Sequence, residues 1–222
     1  MSNPQWSFSS IKLFEQCPRK YYHLKVSKDY SEPPTDATTY GEEFHSAAEF
    51  YVSGQADLPA HFSFAKKALD KLRAMPGKKL CEYEMGLTEG LEPCKIDAPD
   101  AWWRGIADLV IINENTAKVV DYKAGKSAKY ADKDQLQLMA LAVFKHFPDV
   151  EKVDAALLFV VAKAFITATY NRSDAPALWA DWLKRYNKIT AARDNGVWNP
   201  KTSGLCKAHC VVLSCLHNGR NS

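Results

Sequence analysis

Two aspartates and a lysine share one short stretch: Arg104-Gly-Ile-Ala-Asp108-Leu-Val-Ile-Ile-Asn-Glu-Asn-Thr-Ala-Lys-Val-Val-Asp121-Tyr-Lys123. Carboxylates gathered on one surface can hold a hard divalent cation such as Mg²⁺ or Mn²⁺ through oxygen. Such an ion lowers the pKa of a bound water and neutralises charge on a phosphate. A neighbouring ammonium can stabilise the same charge or orient the water. Asn113-Glu114-Asn115-Thr116 is good turn chemistry between two apolar runs, so the stretch is predicted to be a hairpin. With Asn113 and Thr116 flanking a two-residue turn, Asp108 falls directly opposite Asp121. Alternation then puts Asp121 and Lys123 on one face and Tyr122 on the other. Opposed like charges destabilise a sheet, and a bound cation removes that cost. A slip of one residue would part the two aspartates, so the inference hangs on the turn. Spacing alone fits a solvent-facing charged hairpin equally well.

The elements that must position these groups are legible on either side. Ser9 or Ser10 can cap a short helix running to about Gln16, with a break near Pro18 and an aromatic segment at Tyr21 and Tyr22. Residues 29–37 are polar, carry Pro33 and Pro34, and read as a loop. A helix over about Thr39 to Val52 sets Phe44, Ala47, Ala48 and Tyr51 at helical spacing. Another covers 61–74 and stops before Pro76 and Gly77. Strands follow at 79–88, Trp102–Ile112 and Lys118–Tyr122. A helix spans about Lys133 to Phe147, ending at Pro148. Val153–Val161 is a nearly unbroken apolar run that suits a buried strand, with Phe165–Tyr170 as its hairpin partner. A long helix covers 174–194, with Gly196 as its stop. This order predicts an α/β or α+β domain around a mixed central sheet.

The Gly105-Ile-Ala-Asp108 and Val119-Val-Asp121-Tyr-Lys123-Ala-Gly125 segments resemble the two metal-site strands of the PD-(D/E)XK nuclease superfamily, in its RecB-like branch. Asp121 stands where many members carry Glu, a swap that the motif allows. Gly41-Glu-Glu-Phe-His45 resembles the branch's helical Gly-x3-His element, whose histidine is a further metal ligand. Gln135-Leu-Gln-Leu-Met139 resembles the helix that follows, often Gln-x3-Tyr, with Met139 replacing the tyrosine. The resemblance runs from Ser7 to Cys215. It implies a restriction-endonuclease-like core and a metal-dependent DNA nuclease, either an exonuclease or an end-processing enzyme. In it His45, Asp108, Asp121 and the Tyr122 carbonyl would hold one or two Mg²⁺ or Mn²⁺ ions. Lys123 would assist the attacking water, and Gln135 would support Lys123 or touch DNA. Glu82 and Glu84, on the preceding strand, are lesser candidates for the metals. Arg19, Lys20 and Lys126 are candidate phosphate contacts, and Tyr21 or Tyr22 a base-stacking surface.

The six cysteines are spread unevenly. Cys206, Cys210 and Cys215 crowd the tail, while Cys81 and Cys94 read as ordinary small residues. The start, Trp6-Ser-Phe-Ser-Ser-Ile-Lys-Leu-Phe-Glu-Gln-Cys17-Pro-Arg-Lys-Tyr-Tyr, resembles RecB-like nucleases in which one such cysteine joins three near the C-terminus around an iron–sulfur cluster, as in CRISPR-associated and phage members. Cys17, Cys206, Cys210 and Cys215 supply the four thiolates a [4Fe–4S] cluster needs. The tail departs from the family's C-x2-C-x5-C: here it reads C-x3-C-x4-C, so the middle ligand is Cys210 or its neighbour His209. A Cys/His set suits Zn²⁺ as well, and three free thiols in a tail remain the plain alternative.

Composition sets the outer bounds. The 222 residues are 46% apolar and 25% charged, with a net charge of +3. That suits a single domain, with a helical part at 1–78, a core at 79–198 and a cysteine-rich tail at 199–222. No apolar run is long enough to span a membrane. Met1 to Ser10 lacks the pattern of a secretory leader, so an intracellular, cytoplasmic protein is expected. The charge permits nucleic acid as partner without requiring it. Protein partners, cleavage polarity, strand preference and pathway (phage, CRISPR adaptation or repair) leave no mark in the sequence. The rival reading is a catalytically inactive DNA-binding subunit of a repair, recombination or CRISPR-type complex.

Overall fold

The computed structural model describes residues 4–129 and 131–221; the start of the Met1–Ser10 stretch lies outside them. The chain gathers into two compact units. One is built from its two ends, up to Pro34 and from Ala180 onward; the other is Thr35–Trp179.

In the terminal unit, α1 (Phe8–Gln16) is capped by Ser7, whose hydroxyl accepts from the Ser10 N–H while Ser10 caps in return. The expected cap was Ser9 or Ser10. Ser10 instead serves as the reciprocal partner one turn in, which is the capping-box arrangement. The helix breaks near Pro18 as expected, at extended Cys17; Pro18 then occupies the first turn of α2 (Pro18–Tyr21), where its missing N–H costs nothing, and a π-helical turn, Tyr22–Val26, follows. The last helix, α6 (Ala175–Asp194), contributes all but its first turn or so, from Ala180 on, to this unit. Trp182 and Tyr186 pack against Trp6, and Arg185 grips Glu15 with two hydrogen bonds of 2.6 and 2.8 Å. The helix closes as expected, with Gly196 in the left-handed region at φ 64°.

The larger unit carries α3 (Asp36–Ser53), α4 (Lys66–Ala74), α5 (Lys133–His146) and strands β1 (Lys78–Leu87), β2 (Pro93–Cys94), β3 (Trp103–Asn113), β4 (Thr116–Lys123), β5 (Lys152–Phe159) and β6 (Ala164–Asn171). The six strands form one sheet in the order β2-β1-β3-β4-β5-β6. Only β4 and β5 run parallel, and α5 is the crossover between them, as a parallel pair requires. α3 is fixed at both ends, by a Thr35–Thr38 capping box and by Gly54 at φ 79°. Its Phe44, Ala48, Tyr51 and Val52 join Phe62 and Leu69 over Leu109, Ile111, Val120 and Tyr122 on one sheet face. α5 covers the other face. Residues Leu138 to Phe144 are all buried. The mixed, helix-flanked sheet is the restriction-endonuclease-like α/β fold expected from the sequence. Among the described residues no helix is long and apolar enough to cross a membrane.

Candidate active site

The hairpin register is the expected one at the turn: Asn113 faces Thr116, and pairing continues to Leu109 and Val120. There the β3–β4 ladder stops, one step short of the two aspartates. β4 goes on pairing with β5 through Lys123 and β3 goes on pairing with β1, so the two strands part and open a fork. Asp108 bridges its mouth, its Oδ2 accepting the Tyr122 N–H at 2.5 Å. Asp108 and Asp121 are 7% and 6% exposed, the two buried carboxylates among the described residues.

The same point is distorted in β1. Pairing of β1 with β3 skips one position, Glu82 opposite Asp108. Glu82 has φ 45° in mid-strand, a conformation that a side chain disfavours. Around it the strands exchange faces. Cys81 and Leu109 belong to the α3–α4 cluster, whereas Tyr83 lies against His146 and Phe147, and Gly105 faces Met139 on the α5 side. Gly105 is required by this packing: a Cβ there would sit 2.5 Å from the Trp103 ring. The regular apolar spacing of Cys81, Tyr83 and Met85 suggests one unbroken face, so spacing gave no sign of this switch and did not choose between the two candidates, Glu82 and Glu84. Glu84 is exposed.

α3 and α5 bring up the remaining groups. His45 Nδ1 lies 3.3 Å from Asp108 Oδ1, and its Nε2 lies 3.1 Å from the Tyr122 carbonyl oxygen. His45, Glu82 and Asp108 present ligand atoms within 4.8 Å of one another. On the α5 side, Lys123 Nζ is 2.6 Å from Asp121 Oδ2. Gln135 ties the two together, its amide donating to Asp121 Oδ1 at 2.5 Å and its carbonyl accepting from Lys123 at 3.0 Å. Tyr122 turns the other way, into the core beside Phe44. Alternation along β4 is therefore as read from the sequence.

The electrostatics are those of a crowded acidic pocket. Burial, and then the charge of Asp108, push the Asp121 carboxyl up to about 6. Burial and Asp108 also raise Glu82. Burial opposes a charge on His45, but the hydrogen bond and charge of Asp108, with Asp121 and Glu82 behind, outweigh it and raise its pKa. A protonated His45 ring would donate to Asp108 and the Tyr122 carbonyl together. The donor set fits a hard divalent ion. It is oxygen-rich, it holds one imidazole, and Glu82 Oε1 is buried with no hydrogen-bond partner among the described residues.

The other candidates fall elsewhere. Cys17, Cys206, Cys210 and Cys215 line one cavity in the terminal unit, with Arg19, Lys20 and His217 also on its wall. His209 is not on that wall; it lines a neighbouring, wider pocket with Cys17, Cys206 and Cys210. Backbone N–H groups of Lys201 and Ser203 donate to the sulfurs of Cys17 and Cys206 at 3.4 and 3.5 Å. Cys81 and Cys94 lie in the larger unit, apart from this set in the chain and in the fold. Tyr21 is buried and stacks on Trp198, which removes it as a base-stacking surface and leaves half-buried Tyr22. Lys20 is paired with Glu32 at 2.6 Å, whereas Arg19 and Lys126 are exposed.

Comparison with known proteins bears on the whole arrangement. The sequence profile of the PD-(D/E)XK nuclease superfamily matches residues 5–215. No curated protein sequence matches the chain. The fold is similar to the crystal structure of a candidate exonuclease from Eubacterium rectale, with a TM-score of 0.55 and 14% identity, over 91% of this chain and 85% of that one. A second crystal structure, of a protein called SSO0001, aligns at a TM-score of 0.47 and 16% identity over 98% of this chain and 89% of that one. At 14% identity the likeness to the first of these is one of fold.

Proposed function

We propose that this chain, which belongs to the PD-(D/E)XK nuclease superfamily, is a divalent-metal-dependent DNA nuclease that acts as an exonuclease or end-processing enzyme. The observation that carries the reading is the fork where β3 and β4 part. There a histidine from α3, two buried aspartates, a lysine and a glutamine from α5 converge from separate parts of the sequence. His45, Asp108, Asp121 and the Tyr122 carbonyl would hold Mg²⁺ or Mn²⁺. Such an ion supplies an activated water and charge neutralisation at the phosphate. His45 would bind it as the neutral imidazole.

The chain's own residues do the rest. Lys123, held by Asp121 and Gln135, presents an ammonium where negative charge grows on the phosphate, without reorganising at the moment of reaction. Gln135 is a positioning residue, fixing the Lys123 amine and one Asp121 oxygen at once. Exposed Arg19 and Lys126 are phosphate contacts and Tyr22 a stacking surface. Binding should then weaken steeply with salt.

We infer further that Cys17, Cys206, Cys210 and Cys215 hold a [4Fe–4S] cluster, with Cys210 rather than His209 as the middle ligand. Two observations support this: all four thiols line one cavity, and two of their sulfurs accept backbone N–H bonds of the kind that tune cluster sulfurs.

The test is degradation of end-labelled single- and double-stranded DNA by chelator-stripped protein, with and without Mn²⁺ or Mg²⁺. Cleavage only with metal is expected, and the product ladder from each labelled end gives polarity. Folded protein that binds DNA yet cleaves no substrate would replace this reading with a non-catalytic DNA-binding subunit.

A further inference from the structure

The geometry points to Arg104 as a clamp on the DNA backbone, holding a phosphate a few nucleotides away from the one that is cut. The inference rests on the proposal that the fork cleaves DNA, and it adds the track along which one strand lies beside it.

Arg104 is the second residue of β3, four positions before Asp108. Trp103 and Gly105 turn to the α5 side of the sheet, where the Trp103 ring and Met139 close on Gly105. Alternation puts Arg104 and Ile106 on the opposite face. That is the face which α3 and α4 cover further along β3, at Leu109 and Ile111, and from which His45 reaches the fork. On the other side of the fork the cover ends. Ile106 is 43% exposed, an apolar side chain in mid-strand, and its cross-strand partner Glu84 is exposed as well. An open strip therefore runs from Asp108 over Ile106 to Arg104. Its length is about 13 Å, at ~3.3 Å per strand residue. That is the rise of about four nucleotides of B-form strand, and fewer of an extended one.

Arg104 lacks the partners that the protein gives to other half-buried arginines. Arg172 donates to three backbone carbonyls and faces Glu151, and Arg185 grips Glu15. Arg104 Nε is buried with no hydrogen-bond partner, the one arginine or lysine nitrogen in that condition among the described residues. Asp100 and Arg104 both act on the Cys94 thiol, which burial and Asp100 push up and Arg104 pulls down, yet among the described residues no ion pair joins the two. A guanidinium left half-buried without acceptors is costly. A phosphodiester satisfies it, because two phosphate oxygens match the planar fork of N–H donors. Ile106, between Arg104 and the fork, then packs against the sugar or base of the same strand.

The experiment measures binding of an end-labelled single-stranded oligonucleotide by wild type, Arg104→Gln and Arg104→Lys over a series of salt concentrations, with Ca²⁺ in place of Mn²⁺ so that the strand stays whole. Arg104→Gln is expected to bind about tenfold more weakly at low salt. Its plot of log Kd against log salt should be shallower by about 0.7, the share of one phosphate contact on a single strand. Arg104→Lys should keep the slope and part of the affinity. The metal-free melting temperature of Arg104→Gln should stay at or above that of wild type, because an unpaired charge has gone. Neutral methylphosphonate links, placed one at a time, then locate the contact. One position a few nucleotides from the cut should weaken wild type and leave Arg104→Gln unaffected. Wild-type affinity, slope and methylphosphonate profile in Arg104→Gln would overturn the assignment and leave the nuclease standing. A lower melting temperature with an unchanged slope would also overturn it, making Arg104 a structural residue. Wild type that binds and cleaves no DNA would remove the nuclease reading itself, and this inference with it.

Discussion

The fork in the larger unit and the cysteine cavity in the terminal unit are both candidate metal centres, yet they are built in opposite ways. The fork is held before any ion arrives. Each of its groups hangs from a helix or strand, and Asp108, Tyr122, His45, Asp121, Lys123 and Gln135 are joined by short contacts. The cysteine site is largely loop. Of its thiols, Cys17 follows α1, Cys206 ends a single 3₁₀ turn, and Cys210 and Cys215 lie in irregular chain. Its ties include two N–H···S bonds, the hydrogen bonds of the Asn218 side chain to the Cys210 and Val212 carbonyls, and the Ser214 N–H donated to the Tyr30 hydroxyl. A preorganised centre serves catalysis, because its dipoles need no rearrangement during the reaction. A loop-built centre depends on its metal for order, because binding and local folding are linked there.

That contrast can be broken most sharply at Asp108. Asp108→Ala removes a proposed ligand and the acceptor of the buried Tyr122 N–H, a loss that costs about 1–3 kcal/mol. Cleavage should fall below detection and the metal-free melting temperature should drop, both measurable on one preparation. If cleavage persisted, the fork would not be the centre.

The cysteine site should respond in the reverse sense. Cys17→Ser is expected to lose the iron, acid-labile sulfide and visible absorption of anaerobically purified protein, while Mn²⁺ binding at the fork is retained. Colourless wild type carrying zinc would remove the iron–sulfur assignment and leave the nuclease untouched.

Gln135→Ala tests whether the α5 tie positions Lys123. A loss of activity of about 10–100-fold, seen in kcat more than KM, is expected for a group acting through another. Gln135→Glu keeps the acceptor for Lys123 and should restore part of it.

The smallest effect concerns stability away from both centres. Burial lowers the pKa of His146, whose neutral ring donates to the Gly86 carbonyl at 2.9 Å. The unfolded chain therefore takes up its proton first, near 6.5, and stability declines as pH falls from there through the lower folded value. The slope from this one group is at most about 1.4 kcal/mol per pH unit. His146→Gln, which keeps an N–H donor, should flatten it in urea titrations. An unchanged slope would assign the pH dependence to other groups.

The contrast also decides what was legible in the sequence. Period-2 alternation and the Asn113–Thr116 turn set the register of β3 and β4, and so placed Asp121 with Lys123 and Tyr122 in the core. Helical spacing put His45 and Gln135 on α3 and α5, and only the family resemblance singled them out for the site. What alternation could not reveal is where it fails. The ladder ends before Asp108 meets Asp121, and the φ of Glu82 reverses two strands, because tertiary packing around Gly105 and Trp103 overrides local pattern. In the tail no period exists to read. The four cysteines could be grouped there only by resemblance, and it is the structure that brings all four to the wall of one cavity.

The most direct test of the central claim is the rate of Mn²⁺-dependent cleavage of end-labelled DNA by wild type and by Lys123→Ala, at matched folding and matched Mn²⁺ occupancy. A loss of about 100-fold or more in the mutant, with metal still bound, is the predicted result. Equal rates in the two proteins would contradict it and place the nuclease activity outside the fork.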